Sequence, residues 1–140
     1  MDTVSQETRS RIMSRIRSGN TAPERSVRRE LHAAGFRFRL HARDLPGHPD
    51  VVLPKYRVAV MVHGCFWHGH HCPRGRRPTA NADFWARKID RNMKRDAAAI
   101  TALEALGWTV FTVWSCRLSE DTGYVIERLK ASLPMGQRSA

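Results

Sequence analysis

Ten consecutive residues, His63-Gly64-Cys65-Phe66-Trp67-His68-Gly69-His70-His71-Cys72, hold four of the chain's seven histidines and two of its three cysteines. Cys65, His70 and Cys72 follow a C-x4-H-x-C spacing, close enough for three ligands to converge on one ion. Cys116, just past an apolar segment ending at Trp114, can supply the fourth. Thiolates plus one imidazole in a closed tetrahedral set are what structural Zn²⁺ prefers. Such an ion would tie an otherwise structureless loop to a strand far along the chain, and in a domain of 140 residues that binding energy is folding energy. The competing reading, free thiols and incidental histidines, is the weaker one because a single site uses every cysteine. His71 adjoins Cys72, which hinders both from reaching one ion, so His70 is the expected ligand.

Around this loop the hydrophobic pattern predicts a single α/β domain. A basic helix over Ser5–Ser18, with Ile12 and Ile16 as a thin apolar stripe, reads either as an arm in residues 1–20 that engages a partner or as a solvated terminal helix. Residues 21–140 form the domain proper. Thr21 caps a helix with Pro23 in its first turn and Gly35 past its end. Phe36 to His41 alternates like a strand with one buried face. Asp50–Leu53 and Arg57–Val62 read as buried strands, a long helix spans Asn81 to Leu106, Trp108–Trp114 is a further strand, and Tyr124–Leu133 a last helix. The order α-α-β-β-β-α-β-α suggests an α/β sandwich around a mixed sheet.

Lys and Arg total 24 against 13 Asp and Glu, a formal charge of +11. That imbalance points to a polyanionic partner, nucleic acid before an anionic membrane surface. No apolar run approaches the ~18 residues of a membrane span. Met1-Asp2-Thr3-Val4-Ser5-Gln6-Glu7 carries neither the basic nor the apolar region of a signal peptide. A cytoplasmic protein without a disulfide scaffold is expected.

With zinc taking four ligands, His63 and His68 remain beside the pinned loop, where a neutral imidazole can serve as base, acid or ligand; alone, either could equally be a core or surface histidine. Three carboxylates could work with them. Asp50 opens a buried strand, where an acid can hold Mg²⁺ or simply form a turn. Asp96 interrupts an apolar seam of Trp85, Ile89, Met93, Ile100 and Leu103 on the long helix. A carboxylate there must be paired, hydrogen-bonded or protonated, and its partner is either an arginine or a spare histidine. Glu24 lies in the first turn of its helix, where it complements the helix dipole whatever else it does.

Taken together, these residues resemble the very short patch repair (Vsr) DNA mismatch endonucleases. The resemblance is carried by Pro46-Gly47-x-Pro49-Asp50, Val62-His63-Gly64-Cys65-Phe66-Trp67-His68, His70-x-Cys72, Asp83-Phe84-Trp85-x-x-Lys88-Ile89, Asn92, Arg95-Asp96, Leu106-Gly107-Trp108 and Val113-Trp114-x-Cys116. It implies a restriction-endonuclease-like fold of the PD-(D/E)XK type, a mixed sheet flanked by helices with a structural zinc site. It also implies a Mg²⁺-dependent nick in one strand of double-stranded DNA, 5′ to the mispaired thymine of a T·G mismatch left by deamination of 5-methylcytosine. By the same resemblance Asp50 binds Mg²⁺ together with the backbone carbonyl of Val62, and His68 is the general base. His63 and Asp96 complete the site, and Glu24 acts through water on the ion. Cys65, His70, Cys72 and Cys116 are the zinc ligands. Phe66, Trp67 and Trp85 match a wedge of aromatics entering the duplex, and Met13 matches a residue entering from the minor groove. Core packing is the other reading of the three aromatics, strongest for Trp85. Val62 departs from the family pattern, where a hydroxyl residue is common, but ligation through a carbonyl tolerates valine. Gly69 interrupts a longer histidine run and touches no assigned role.

One asymmetric nick needs no dimer, so a monomer is expected. A bacterial, nucleoid-engaged enzyme fits the reading, and contacts with mismatch-repair proteins are compatible with it, although the sequence fixes neither. Two alternatives remain at this point. One is a restriction-type or structure-selective nuclease of the same fold. The other is a non-catalytic zinc-stabilised DNA-binding module, which leaves Asp50, Asp96 and two histidines unexplained.

Overall fold

The computed structural model describes residues 21–132. The expected basic arm of residues 1–20, with Met13, lies outside them. Helix α1 (Ala22–Ala33) starts where predicted: the Thr21 hydroxyl accepts the Glu24 N–H at 3.4 Å, and Pro23 occupies the first turn. Three strands follow, β1 (Arg39–Leu40), β2 (Val51–Leu53) and β3 (Val58–His63). Then come the long helix α2 (Ala82–Ala105), strand β4 (Thr109–Trp114) and helix α3 (Leu118–Ser132). The sheet order is β1-β2-β3-β4. The first two pairings are antiparallel and β3–β4 is parallel, in register Val58↔Thr109 through His63↔Trp114. A parallel pair needs a long crossover between its strands, and α2 supplies it.

Period-two alternation sends the sheet's side chains to two cores. Val51, Leu53, Val58, Val60 and Val113 pack with Val27 and Leu31 of α1 and with Val125 and Leu129 of α3. Val52, Ala59 and Met61 face the other way, onto Ala99 and Leu103 of α2 and onto Trp108. The result is a mixed sheet between two helical layers, as the element order suggested. Fully burying a leucine or valine stabilises by roughly 1.5–3 kcal/mol, so Leu31, Leu53, Leu103 and Leu129, all buried to within 1%, anchor both layers.

The sequence reading needs correction in three places. The strand expected over Phe36–His41 is paired only at Arg39 and Leu40, because β2 offers just three residues as a partner. Phe36 still turns inward onto the Tyr56 ring, with centroids 5.6 Å apart, so the alternation marked packing rather than a ladder. The last helix begins at Leu118, not Tyr124. Gly123 disguises its first turns, yet the buried Thr122 hydroxyl bonds the Leu118 carbonyl at 2.6 Å within the helix. On α2, Met93 is 41% exposed and drops out of the expected seam, whose buried positions are Trp85, Ile89, Ala99 and Leu103; Asp96 lies on that same face, between Ile89 and Ala99. Among the described residues, no helix is long and apolar enough to cross a membrane.

Candidate metal centre and hydrolytic site

Topology gathers the chemistry at one end of the sheet. His41 follows β1, Asp50 precedes β2, His63 ends β3, and Cys116 follows β4. With β1 and β3 antiparallel to β2, and β4 parallel to β3, all four positions share that end. In open α/β sheets the crevice outside the carboxyl ends of parallel strands is the usual ligand site.

Three groups of donors lie there. In the first, the ligating atoms of Cys65, His70, Cys72 and Cys116 are all within 4.8 Å of one another. Zn–S bonds of ~2.3 Å and Zn–N bonds of ~2.05 Å in a tetrahedron give S···N edges of about 3.6 Å, and Cys116 Sγ is 3.4 Å from His70 Nδ1. His71 is exposed, its ring tilted against that of His70. The donor set suits a cation electrostatically as well. Loss of hydration and the neighbouring Cys65 and Cys72 thiols push Cys116 up to about 11, because thiolates cannot share a site unless a positive charge offsets them. Burial opposes ionisation of Cys65, but the Ser115 hydroxyl, the Cys116 N–H and the other two thiols outweigh it and bring this thiol below its ordinary value. His70 is held below the ordinary histidine range by loss of hydration and by His71, which favours the neutral ring a metal requires. Gly75 shapes the loop: a Cβ there would overlap the His70 carbonyl oxygen.

The second group is His63, His68 and Asp96. His63 follows Ala59 and Met61 on the α2-facing side of β3, while Asp96 comes from α2 itself. His68 Nδ1 is 2.5 Å from Asp96 Oδ2. That bond places the ring proton on Nδ1 and leaves Nε2 as an acceptor. The His63 ring stacks on His68, with centroids 3.7 Å apart and planes within 1°. Burial, then the His68 charge, lower His63 to about 4 against an opposing pull from Asp96, so it stays neutral near pH 7. Its Nδ1 is buried without a hydrogen-bond partner among the described residues, as expected of an atom whose partner is a water or ion. Trp114 joins the two groups, its ring stacked on His70 at 4.1 Å and edge-on to His63 at 5.2 Å.

Glu24, His41 and Asp50 form the third. Gly47 sets the path into Asp50: its φ is +72°, and a Cβ there would stand 2.5 Å from Ala99 Cβ. Asp50 Oδ2 accepts the Val62 N–H at 2.7 Å. Glu24 is only 4% exposed although it sits in a first helical turn, and its Oε2 lies 3.0 Å from His41 Nε2. Asp50 is raised to about 6, first by burial and further by Glu24, against the lowering effects of the Val62 N–H and of His41. Folding therefore favours the protonated acid. Asp50 has no adverse effect on stability below its ordinary 3.8, and the fold loses stability as pH rises from there through 6. In Mg²⁺-free buffer, Asp50→Asn is expected to raise thermal stability at pH 8 by roughly 1–2 kcal/mol and by progressively less as pH falls through 6, above the range in which protonation of the Cys–His cluster would release its metal. Equal melting temperatures for both proteins from pH 8 down to about 6 would contradict the assignment.

Phe66, Trp67 and Trp85 come together edge to face, at centroid distances of 5.3, 5.4 and 6.2 Å. Trp85 is buried at 5% exposure, whereas Phe66 and Trp67 are partly open. The Asn92 amide holds the Trp67 carbonyl at 3.0 Å. Sequence reasoning missed His41, Ser115 and Phe84, the last of which lies edge-on to Trp85 and is 45% exposed.

The sequence pattern of the family described as DNA mismatch endonuclease Vsr matches residues 1–74. A type II nicking enzyme, V.XorIIP of Xanthomonas oryzae pv. oryzae, is 50% identical over 92% of this chain and 94% of its own length. V.NmeAIP of Neisseria meningitidis, also a type II nicking enzyme, is 46% identical over 79% of each chain. The DNA mismatch endonuclease Vsr of Escherichia coli strain K12 is 41% identical over 84% of this chain and 75% of its own.

Proposed function

Because the chain belongs to the DNA mismatch endonuclease Vsr family, we propose that it nicks one strand of duplex DNA 5′ to the mispaired thymine of a T·G mismatch. It does so in very short patch repair, by Mg²⁺-dependent phosphodiester hydrolysis in a restriction-endonuclease-like fold. The observation that carries this reading is the histidine–carboxylate pair of His68 and Asp96 at the same end of the sheet as Asp50.

Asp50 would hold Mg²⁺, its carboxylate oriented by the Val62 N–H, with the Val62 carbonyl as a further donor and Glu24 beside it. When bound, Mg²⁺ supplies charge neutralisation at the scissile phosphate. His68 presents Nε2 as general base to the attacking water. Asp96, on its other nitrogen, stabilises the imidazolium as the proton arrives. His63, neutral and stacked on His68, keeps that ring from turning. Cys65, His70, Cys72 and Cys116 would hold Zn²⁺, which pins the loop carrying His68. Phe66 and Trp67 would enter the duplex, resting on Trp85. Unstacking costs least beside a mismatch, and this supports selectivity for T·G before any base is read. Arg87, Arg91 and Lys94 on the outer face of α2 suit phosphate contacts, and a single nick requires one copy of the chain.

The test is a strand-resolved nicking assay with Mg²⁺ on end-labelled duplexes carrying T·G or matched C·G. One cut 5′ to the mispaired thymine, absent from matched duplex, is the expected result. Phe66→Ala with Trp67→Ala should reduce preference for the mismatch by roughly 10- to 100-fold, as loss of a stacking platform of 1–3 kcal/mol implies. Equal cutting of both duplexes would transfer the activity to a nuclease of another specificity. Binding without cutting, across varied flanking sequences, would leave a DNA-binding module.

A further inference from the structure

We propose that His41 and Glu24 both donate directly to the divalent ion held by Asp50, Glu24 without an intervening water, and that the imidazole lets the site favour Mn²⁺ over Mg²⁺. This rests on the metal-dependent reading above and adds these direct ligands to it. Glu24, His41 and Asp50 each offer an atom within 4.8 Å of the others. An octahedral ion with bonds of about 2.1 Å has ligand–ligand edges of about 3.0 Å and diagonals of about 4.2 Å. The 3.0 Å between His41 Nε2 and Glu24 Oε2 fits one edge.

The backbone points the same way. His41 has φ +48°, in the left-handed region, which histidine enters more readily than most residues bearing a Cβ. It is held there by the metal-site strand itself. The His41 N–H donates to the Asp50 carbonyl at 3.1 Å, and Ala42 N–H donates to Pro49 at the same distance. Asp50 and His41 are thus fixed opposite each other, and the histidine side chain reaches Glu24 at the start of α1. The His41 side chain is 36% exposed while that of Glu24 is 6% exposed, so the imidazole stands on the solvent side of the acid, where an ion would enter. Mg²⁺ strongly prefers oxygen donors and keeps its waters, whereas imidazole suits transition ions. A nitrogen donor here therefore benefits Mn²⁺ more than Mg²⁺.

The experiment binds Mn²⁺ to the zinc-loaded protein and reads pulsed electron spin-echo modulation together with the free-Mn²⁺ signal. The wild type should show ¹⁴N coupling from an imidazole. In His41→Gln that coupling should vanish and Mn²⁺ affinity fall about tenfold, the low end of what even outer-shell partners of a metal contribute. Mg²⁺ affinity, measured by competition, should fall less than about threefold. His41→Asn, better suited to the left-handed backbone, should behave alike and guards against misfolding of the first variant. Surviving ¹⁴N coupling in both variants overturns the proposal. An equal fall for both ions does so too, since it would mean that His41 only orients Glu24. Asp50→Asn, run in parallel, separates the two levels. If it binds Mn²⁺ like wild type, the metal-site reading itself fails. If it loses Mn²⁺ while His41→Gln keeps it, only the assignment of His41 is lost.

Discussion

Replacing Asp50 with alanine is expected to reduce single-turnover nicking of a T·G duplex by roughly 10³-fold or more, equivalent to about 4 kcal/mol of transition-state stabilisation. Mismatch binding should change by less than about threefold, because phosphate and aromatic contacts carry affinity and lie on other side chains. Asp50 is positioned by the Val62 N–H and sits beside Glu24, where burial and the neighbouring carboxylate disfavour its ionisation unless a cation is present. The same features make the variant safe to interpret. Its removal relieves an adverse charge rather than opening a core, so the protein should remain folded, as a circular dichroism melt would verify. Nicking at the wild-type rate would remove Asp50 from the metal site.

Stripping the four-ligand cluster should have the larger effect on the fold. Structural zinc contributes apparent binding energies of about 10–16 kcal/mol in small zinc domains, against a typical net stability of about 5–15 kcal/mol. Cys116→Ser, or a strong chelator, is therefore expected to leave the protein largely unfolded at 25 °C. Metal analysis of the intact protein should return about one zinc per chain. Intermediate outcomes are informative: a folded, zinc-free protein would show that the two hydrophobic cores suffice and that the cluster is a local clasp. Ser115 offers a milder perturbation, since its hydroxyl is 3.3 Å from both the Cys65 N–H nitrogen and Sγ.

Much of this architecture was readable because the relevant signals are local. Thr21 with Pro23, the valine-rich runs of β2 and β3, and the closely spaced cysteines and histidines each act over a few residues. Asp96 announced itself as a charge within an apolar helix face, and the structure gives it His68 as its partner. His41 gave no comparable sign. It follows a two-residue strand in a sequence that reads as solvated, and its meaning comes from the hairpin that sets it opposite Asp50 and from a helix residue 17 positions earlier. The early start of α3 was hidden for a related reason: Gly123 weakens helix propensity locally, while burial of Thr122 and Val125 against the sheet side overrides it. Trp85 shows the opposite limit. A tryptophan on an apolar helix face reads equally as core or wedge, and its place beneath Phe66 and Trp67 depends on a loop folded from elsewhere in the chain.

The parallel pairing of β3 with β4 has a consequence for how the chain matures during synthesis. Cys116 meets His70 across a separation of 46 residues, so the loop cysteines and histidines leave the ribosome well before their last companion. At about 5–20 residues per second the interval is roughly 2 to 9 s. During that time the β1–β2–β3 hairpins can form, but the thiols of Cys65 and Cys72 stand open and α2 has no strand to return to. The nascent chain thus passes through a window of oxidation and mispairing that closes only when β4 arrives, and His63 and His68 gain the Trp114 ring they pack against in the same event.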